Sequence, residues 1–168
     1  VDNYNHNLET SRDFYPTICT THSWDERYQT CLNVKEAGLK LVCGGIFGMG
    51  ETQEQRISML ESIASLEPMN VPLNFFHPNE ALPIVKNTIT REEAFELITL
   101  ARKMIPNAMK IMVAGGREVM FGDEQYKIFE KGANAFVIGD YLTTQGKTPA
   151  DDIAELEKHG YKIKRERD

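Results

Sequence analysis

No apolar run in this sequence approaches the roughly 20 residues that span a bilayer, which excludes a membrane-spanning helix. Cysteine is scarce: Cys19, Cys31 and Cys43 are the only three in 168 residues. An odd number without a close pair builds no disulfide framework and fits a reducing, cytoplasmic compartment. Their even spacing matches no metal-ligand pattern. There is no basic excess either. Nineteen Lys and Arg face 25 Asp and Glu, a net charge of −6, which argues against nucleic-acid binding. His6, His22, His77 and His159 never fall at the two-histidine helical spacing of a zinc site. No Ser-His-Asp or Cys-His-Asn signature stands out, and the glycines form neither a P-loop nor a dinucleotide pattern. An initiator Met is also missing, and the opening Val-Asp-Asn-Tyr-Asn has the character of the middle of a structural element.

What remains is an ordinary globular composition, 41% apolar and 26% charged, in one domain over residues 1–168. Helix and strand signals alternate. Capping boxes open helices at Ser23-Trp-Asp-Glu26, Thr52-Gln-Glu-Gln55 and Thr90-Arg-Glu-Glu93, because hydroxyl and carboxylate or amide satisfy free backbone donors reciprocally. Gly38, Pro68 and Pro106 stop these helices. A further helix is expected over residues 123–131, and Thr148-Pro149 starts a last one running to Gly160. Continuous apolar stretches at 39–46, 71–76, 109–114 and 133–138 predict strands, and 4–8 predicts a fifth. Continuous rather than alternating apolar strands indicate a parallel sheet covered by helices. Five βα units do not close a barrel of eight, so the sheet is either open or part of a (β/α)₈ barrel.

In such folds the chemistry collects where strands end. Asn5, Asn7 and Glu9 alternate and share one side of the first strand; they hydrogen-bond a ligand or are merely solvated. Residues 44–51 (Gly-Gly-Ile-Phe-Gly-Met-Gly-Glu) admit a ligand close to the backbone, or accommodate a tight turn. Asn74 and His77 follow the third strand. Arg117, after Gly115-Gly116, holds an anion or pairs with Glu118 or a helix end. Asp140 and Tyr141 line the same mouth or hold the final loop. Lys40 and Lys110 stand at strand starts, the wrong end for a Schiff-base lysine.

These segments together resemble the biotin synthase family, in order and over essentially the whole chain. The carriers are Tyr4-Asn5-His6-Asn7-Leu8-Glu9-Thr10-Ser11, the stretch from Thr20-Thr21 to Arg27, residues 44–51, Val71-Pro72-Leu73-Asn74, Ala114-Gly115-Gly116-Arg117-Glu118, and Gly139-Asp140-Tyr141-Leu142-Thr143-Thr144. The resemblance implies the last five βα units of a radical S-adenosylmethionine (β/α)₈ barrel, whose N-terminal cluster-binding half is absent here. It implies sulfur insertion into dethiobiotin by a 5′-deoxyadenosyl radical, with a 4Fe-4S cluster and an auxiliary 2Fe-2S cluster. Asn7 and Glu9 would hold the ribose hydroxyls of S-adenosylmethionine, Arg27 its carboxylate, and Gly44, Ile46, Gly48 and Glu51 would pass beside its adenine. Asn5 and Asn74 would face dethiobiotin. Arg117 would sit beside or bind the auxiliary cluster.

Two departures stand out. The family's Cys-x₃-Cys-x₂-Cys loop is missing, so this chain alone should be inactive and would need its N-terminal half. The family's auxiliary-cluster cysteine place holds Val42, with Cys43 next to it. Neighbouring strand residues face opposite ways, so Cys43 is a buried thiol or, through a bulge, a ligand. The alternative to an enzyme part is a non-catalytic half-barrel that binds a partner or pairs with itself as a homodimer through its open edges.

Overall fold

In the computed structural model, which describes residues 2–78, 83, 88–140 and 146–163, the helix and strand signals become a parallel sheet with helices packed on one face. The strands are β1 (Asn3–Asn5), β2 (Lys40–Val42), β3 (Gly45–Phe47), β4 (Asn70–Phe75), β5 (Lys110–Val113) and β6 (Ala135–Phe136). The α-helices are α1 (Trp24–Glu36), α2 (Gln53–Ser65), α3 (Arg91–Met104), α4 (Arg117–Phe121) and α5 (Pro149–Lys158). Every strand pairing is parallel, in the order β1-β2-β4-β5-β6 with β3 also on β4. All three capping boxes form, at Ser23, Thr52 and Thr90, and Thr148 caps α5 ahead of Pro149. Lys40 and Lys110 open their strands, at the N-terminal ends.

Sheet register decides which side chains share a face. Leu41, Val71, Leu73, Phe75, Ile111 and Val113 are at most 3% exposed and pack with Val34, Leu60, Ile63 and Ile98 of the helices. Their strand neighbours therefore line the other face, the one turned inward in a barrel. Burying a single Leu or Ile side chain in this core contributes about 1.5–3 kcal/mol.

The strand expected over 4–8 is shortened to Asn3–Asn5 and that over 133–138 to Ala135–Phe136, and two further elements differ from the sequence expectation. The strand expected over 39–46 is split at Cys43-Gly44, although the offset to β4 is the same on either side, Val42 beside Asn70 and Gly45 beside Leu73. Cys43 N–H still donates to Asn70 O at 3.0 Å. The return bond to Cys43 would come from the nitrogen of residue 72, which is proline and has no hydrogen. A Cβ on Gly44 would lie 1.8 Å from Pro72 O, so only glycine permits this approach. The helix expected over 123–131 is instead the short α4 followed by a tighter 3₁₀ segment, Gly122–Phe129. Gly122, at φ +52°, breaks α-helical continuity between them.

Candidate functional site

Beyond the C-terminal end of β1 the chain runs on alongside β3. His6 N–H donates to Val42 O and Leu8 N–H to Gly44 O, and Glu9 bridges to Gly45. Glu9 has φ +67°, a left-handed conformation uncommon for a carboxylate residue and held here by its neighbours. Its carbonyl accepts from Ile46 N–H at 2.7 Å. Its carboxylate accepts from Arg27 Nη2 at 2.9 Å. Burial raises the Glu9 carboxyl above its ordinary value, and the Arg27 charge offsets only part of that rise.

Arg27 comes from α1 and gathers this corner. Its Nε donates to Asn7 O at 2.7 Å, and its Nη1 lies 3.1 Å from His22 Nε2. Tyr15 OH stands 2.8 Å from the same His22 nitrogen. Burial pushes the Tyr15 phenol up to about 12. On the outer side of His22 is Cys19, whose thiol lies 3.4 Å from Thr21 Oγ1 and 3.7 Å from His22 Nδ1. The Thr21 hydroxyl, then Tyr15, lowers Cys19 to about 6. His22, Tyr15 and Cys19 were not among the expected site residues. The stretch from Thr20-Thr21 to Arg27, quoted only for the family resemblance, contains His22 and is the signal that could have found them.

Asn7 Oδ1 accepts from Gly44 N–H at 3.1 Å. Asn74 then ties the next strands together: its Nδ2 donates to Gly45 O at 3.1 Å and its Oδ1 accepts from Gly115 N–H at 2.8 Å. Asn74 is buried with Ile46 beside it in register, on the inward face. Asn5 ends β1, exposed, beside Val42 on that face. Thus Asn7, Glu9, Arg27, Gly44, Ile46 and Asn74 come to one rim, with Asn5 further down the same inward face, level with Asn70. The glycine segment continues from it. Gly48, at φ +94°, donates its N–H to Glu51 at 2.6 Å, and Met49 N–H donates to the other oxygen at 2.8 Å. Glu51 is buried and also holds Arg56 Nε at 2.9 Å. Its carboxylate therefore shapes the turn from within.

Arg117 is engaged in an ion pair within the protein. Its guanidinium is buried and paired with both oxygens of Asp152 at 3.0 and 2.8 Å, with Gln125 and Glu118 alongside and the Phe136 ring 4.3 Å away. Asp152 itself is fully buried and also takes Tyr126 OH. This network docks α5 against α4, the structural ion pair of the two options. Of the two options for Cys43 the structure has the buried thiol: it is fully buried on the helix side with its Sγ 3.9 Å from Cys31 Sγ, and no bulge turns it inward. Asp140 Oδ1 accepts from Gly146 N–H at 3.1 Å, while Tyr141 lies outside the described residues. Among the described residues no group of three His, Cys, Asp or Glu could hold a metal, and no helix is long and apolar enough to cross a membrane.

Comparison with known proteins bears on the family and the fold. The family model described as Biotin and Thiamin Synthesis associated domain matches residues 72–162. A protein of Aliarcobacter butzleri named biotin synthase is 67% identical over 163 residues, covering 97% of this chain and 57% of its own length. A biotin synthase of Nitratiruptor sp. is 63% identical, covering 97% of this chain and 58% of its own. The chain thus spans a little over half the length of these curated relatives. Among solved structures, methylornithine synthase superposes with a TM-score of 0.80 at 20% identity, over 98% of this chain and 53% of its own. The hydrogenase maturase HydG does so with a TM-score of 0.79 at 15% identity, over 96% of this chain and 40% of its own. The fold is the C-terminal portion of that barrel type, and the chain belongs to the Biotin and Thiamin Synthesis associated domain family.

Proposed function

We propose that this chain is the C-terminal part of a biotin synthase, a radical S-adenosylmethionine enzyme inserting sulfur into dethiobiotin, and that the rim around Glu9 and Asn74 is its share of the active site. The observation that carries this reading is the hydrogen-bonded connection from Arg27 to Glu9, from Glu9 through Gly45 to Asn74, and on to Gly115. Together with Asn7, which accepts from Gly44 N–H, it sets a carboxylate and two carboxamides around one strand mouth.

The donor set fits S-adenosylmethionine. Among the described residues, Asn7 Nδ2 and the second oxygen of Glu9 form no hydrogen bond, leaving a donor and an acceptor for a vicinal diol. Arg27 directs three N–H groups at Asn7 O, Glu9 and His22. It thereby orients Glu9, and two N–H donors remain for a carboxylate. Bound beside a reduced 4Fe-4S cluster, S-adenosylmethionine supplies the hydrogen-abstracting radical chemistry of this family. The thiolates for that cluster belong to the missing N-terminal half, since this chain has no Cys-x₃-Cys-x₂-Cys loop. Asn5 and Asn74 face the ureido ring of dethiobiotin, whose donors and acceptors complement a carboxamide. Glu51 holds the glycine turn in the shape that passes the adenine. The complete enzyme works in the cytoplasm as a homodimer.

The test joins this chain to the N-terminal half of the Aliarcobacter butzleri relative and reconstitutes iron and sulfide anaerobically. Dethiobiotin-dependent 5′-deoxyadenosine is expected, and Glu9→Ala should raise KM for S-adenosylmethionine more than it lowers kcat. A fully clustered protein that releases no deoxyadenosine refutes the assignment.

A further inference from the structure

The inward face is fixed by register. Asn5, Val42 and Asn70 stand side by side, Ile46 beside Asn74, and Met112 beside Pro72 and Ala135. Lys40 and Lys110 stand on the same face at the strand starts; carboxamides, ammonium groups, aliphatic chains, a proline ring and one thioether supply no anionic donor, whereas iron–sulfur clusters are held by thiolates. The auxiliary cluster implied by the family resemblance therefore does not fit these residues.

The two groups that resemblance would bring to it are committed elsewhere. Cys43 follows Val42, so its side chain passes to the helix side, where it is fully buried against Cys31. Contact with the Cys31 thiol, together with burial, pushes Cys43 away from the thiolate form. Only an inserted residue would turn it inward. The unchanged offset between β4 and the two flanking strands shows that none is inserted. Arg117 is locked on Asp152, and a guanidinium keeps its protons and has no lone pair to give.

We infer, on the reading of the chain as part of a radical enzyme, that the wall formed by β1 to β6 offers no ligand to an auxiliary iron–sulfur cluster. Any second cluster in the complete enzyme, and any sulfur drawn from it, is anchored by side chains outside that wall. The test uses the complete protein that contains this chain, loaded anaerobically with iron and sulfide. Iron and acid-labile sulfide per chain are measured, and Mössbauer spectra recorded, for the unchanged protein, Cys43→Ala and Arg117→Lys. The lysine variant keeps a cation for Asp152, and the alanine variant removes only a small buried thiol; circular dichroism first establishes that each retains the fold, and iron is compared only between folded proteins. Neither is expected to lose iron, and the spectra should superimpose. Loss of one cluster's iron, or of one spectral component, in either variant overturns the inference. An unchanged protein that takes up no iron overturns the radical-enzyme reading instead.

Discussion

Substituting Glu51 by Gln tests the claim that this carboxylate builds the glycine turn from inside. The side chain is 1% exposed and accepts from Gly48 N–H, Met49 N–H and Arg56 Nε. Glutamine keeps one carbonyl oxygen and turns an NH₂ toward groups that are themselves donors. Arg56, 8% exposed, loses its closest anion but retains Glu93 at 3.3 Å and two backbone carbonyls. Breaking a buried pair by removing one partner costs about 3–5 kcal/mol, and the retained contacts place this case at the lower end, about 3 kcal/mol. For a chain of this size about 1 kcal/mol shifts Tm by roughly 2–4 °C, so a fall of about 6–12 °C is expected. Thermal melts followed by circular dichroism, with urea titrations confirming an unchanged m value, measure it. The control is Glu93→Gln, whose exposed carboxylate contributes at most about 1 kcal/mol. If Glu51→Gln melts within about 2 °C of the unchanged protein, less than about 1 kcal/mol is at stake and the turn is not built on this carboxylate.

Thiol labelling should find one fast cysteine, Cys19, with a rate that rises through about pH 6 and then levels off, since the thiolate is the nucleophile. Cys31 and Cys43 should react only in denaturant, and three fast thiols would contradict their burial. Glu9 has a folded-state pKa raised above its ordinary 4.5, so its carboxylate costs stability that is absent in acid and complete above the raised value. Relative to Glu9→Gln, the unchanged protein should therefore lose stability as pH rises through that interval; parallel stability curves would remove the argument. Asp152→Ala leaves the Arg117 guanidinium buried without its bidentate partner and should cost about 3–5 kcal/mol, read as a lowered denaturant midpoint. A change of under about 1 kcal/mol would mean that α5 is docked by other contacts.

How legible each feature was follows from the range of the forces involved. The three capping boxes lie within four residues each and formed as written, because side chain and backbone donor are covalent neighbours. The parallel sheet followed from continuous apolar strands. The break at Cys43-Gly44 did not, because its cause, a proline nitrogen, lies on the adjacent strand. The 3₁₀ segment at Gly122–Phe129 was hidden for a related reason: its apolar spacing also suits an α-helix.

At the site, sequence order alone put Asn5, Asn7 and Glu9 on one stretch of chain and marked Asn74 by the residues around it. That Asn74 bonds Gly45 and Gly115 was decided by register across three strands. Arg117 shows the opposite case. Its neighbouring glycines promised an open mouth, but its partner Asp152 lies 35 residues away, and only packing of α5 brings the two together. Local chemistry, then, set the helices, their caps and the strand polarity of this protein. Its tertiary structure chose which polar groups meet at the rim and which are buried as ion pairs, because those choices depend on desolvation and on contacts between residues distant in the chain.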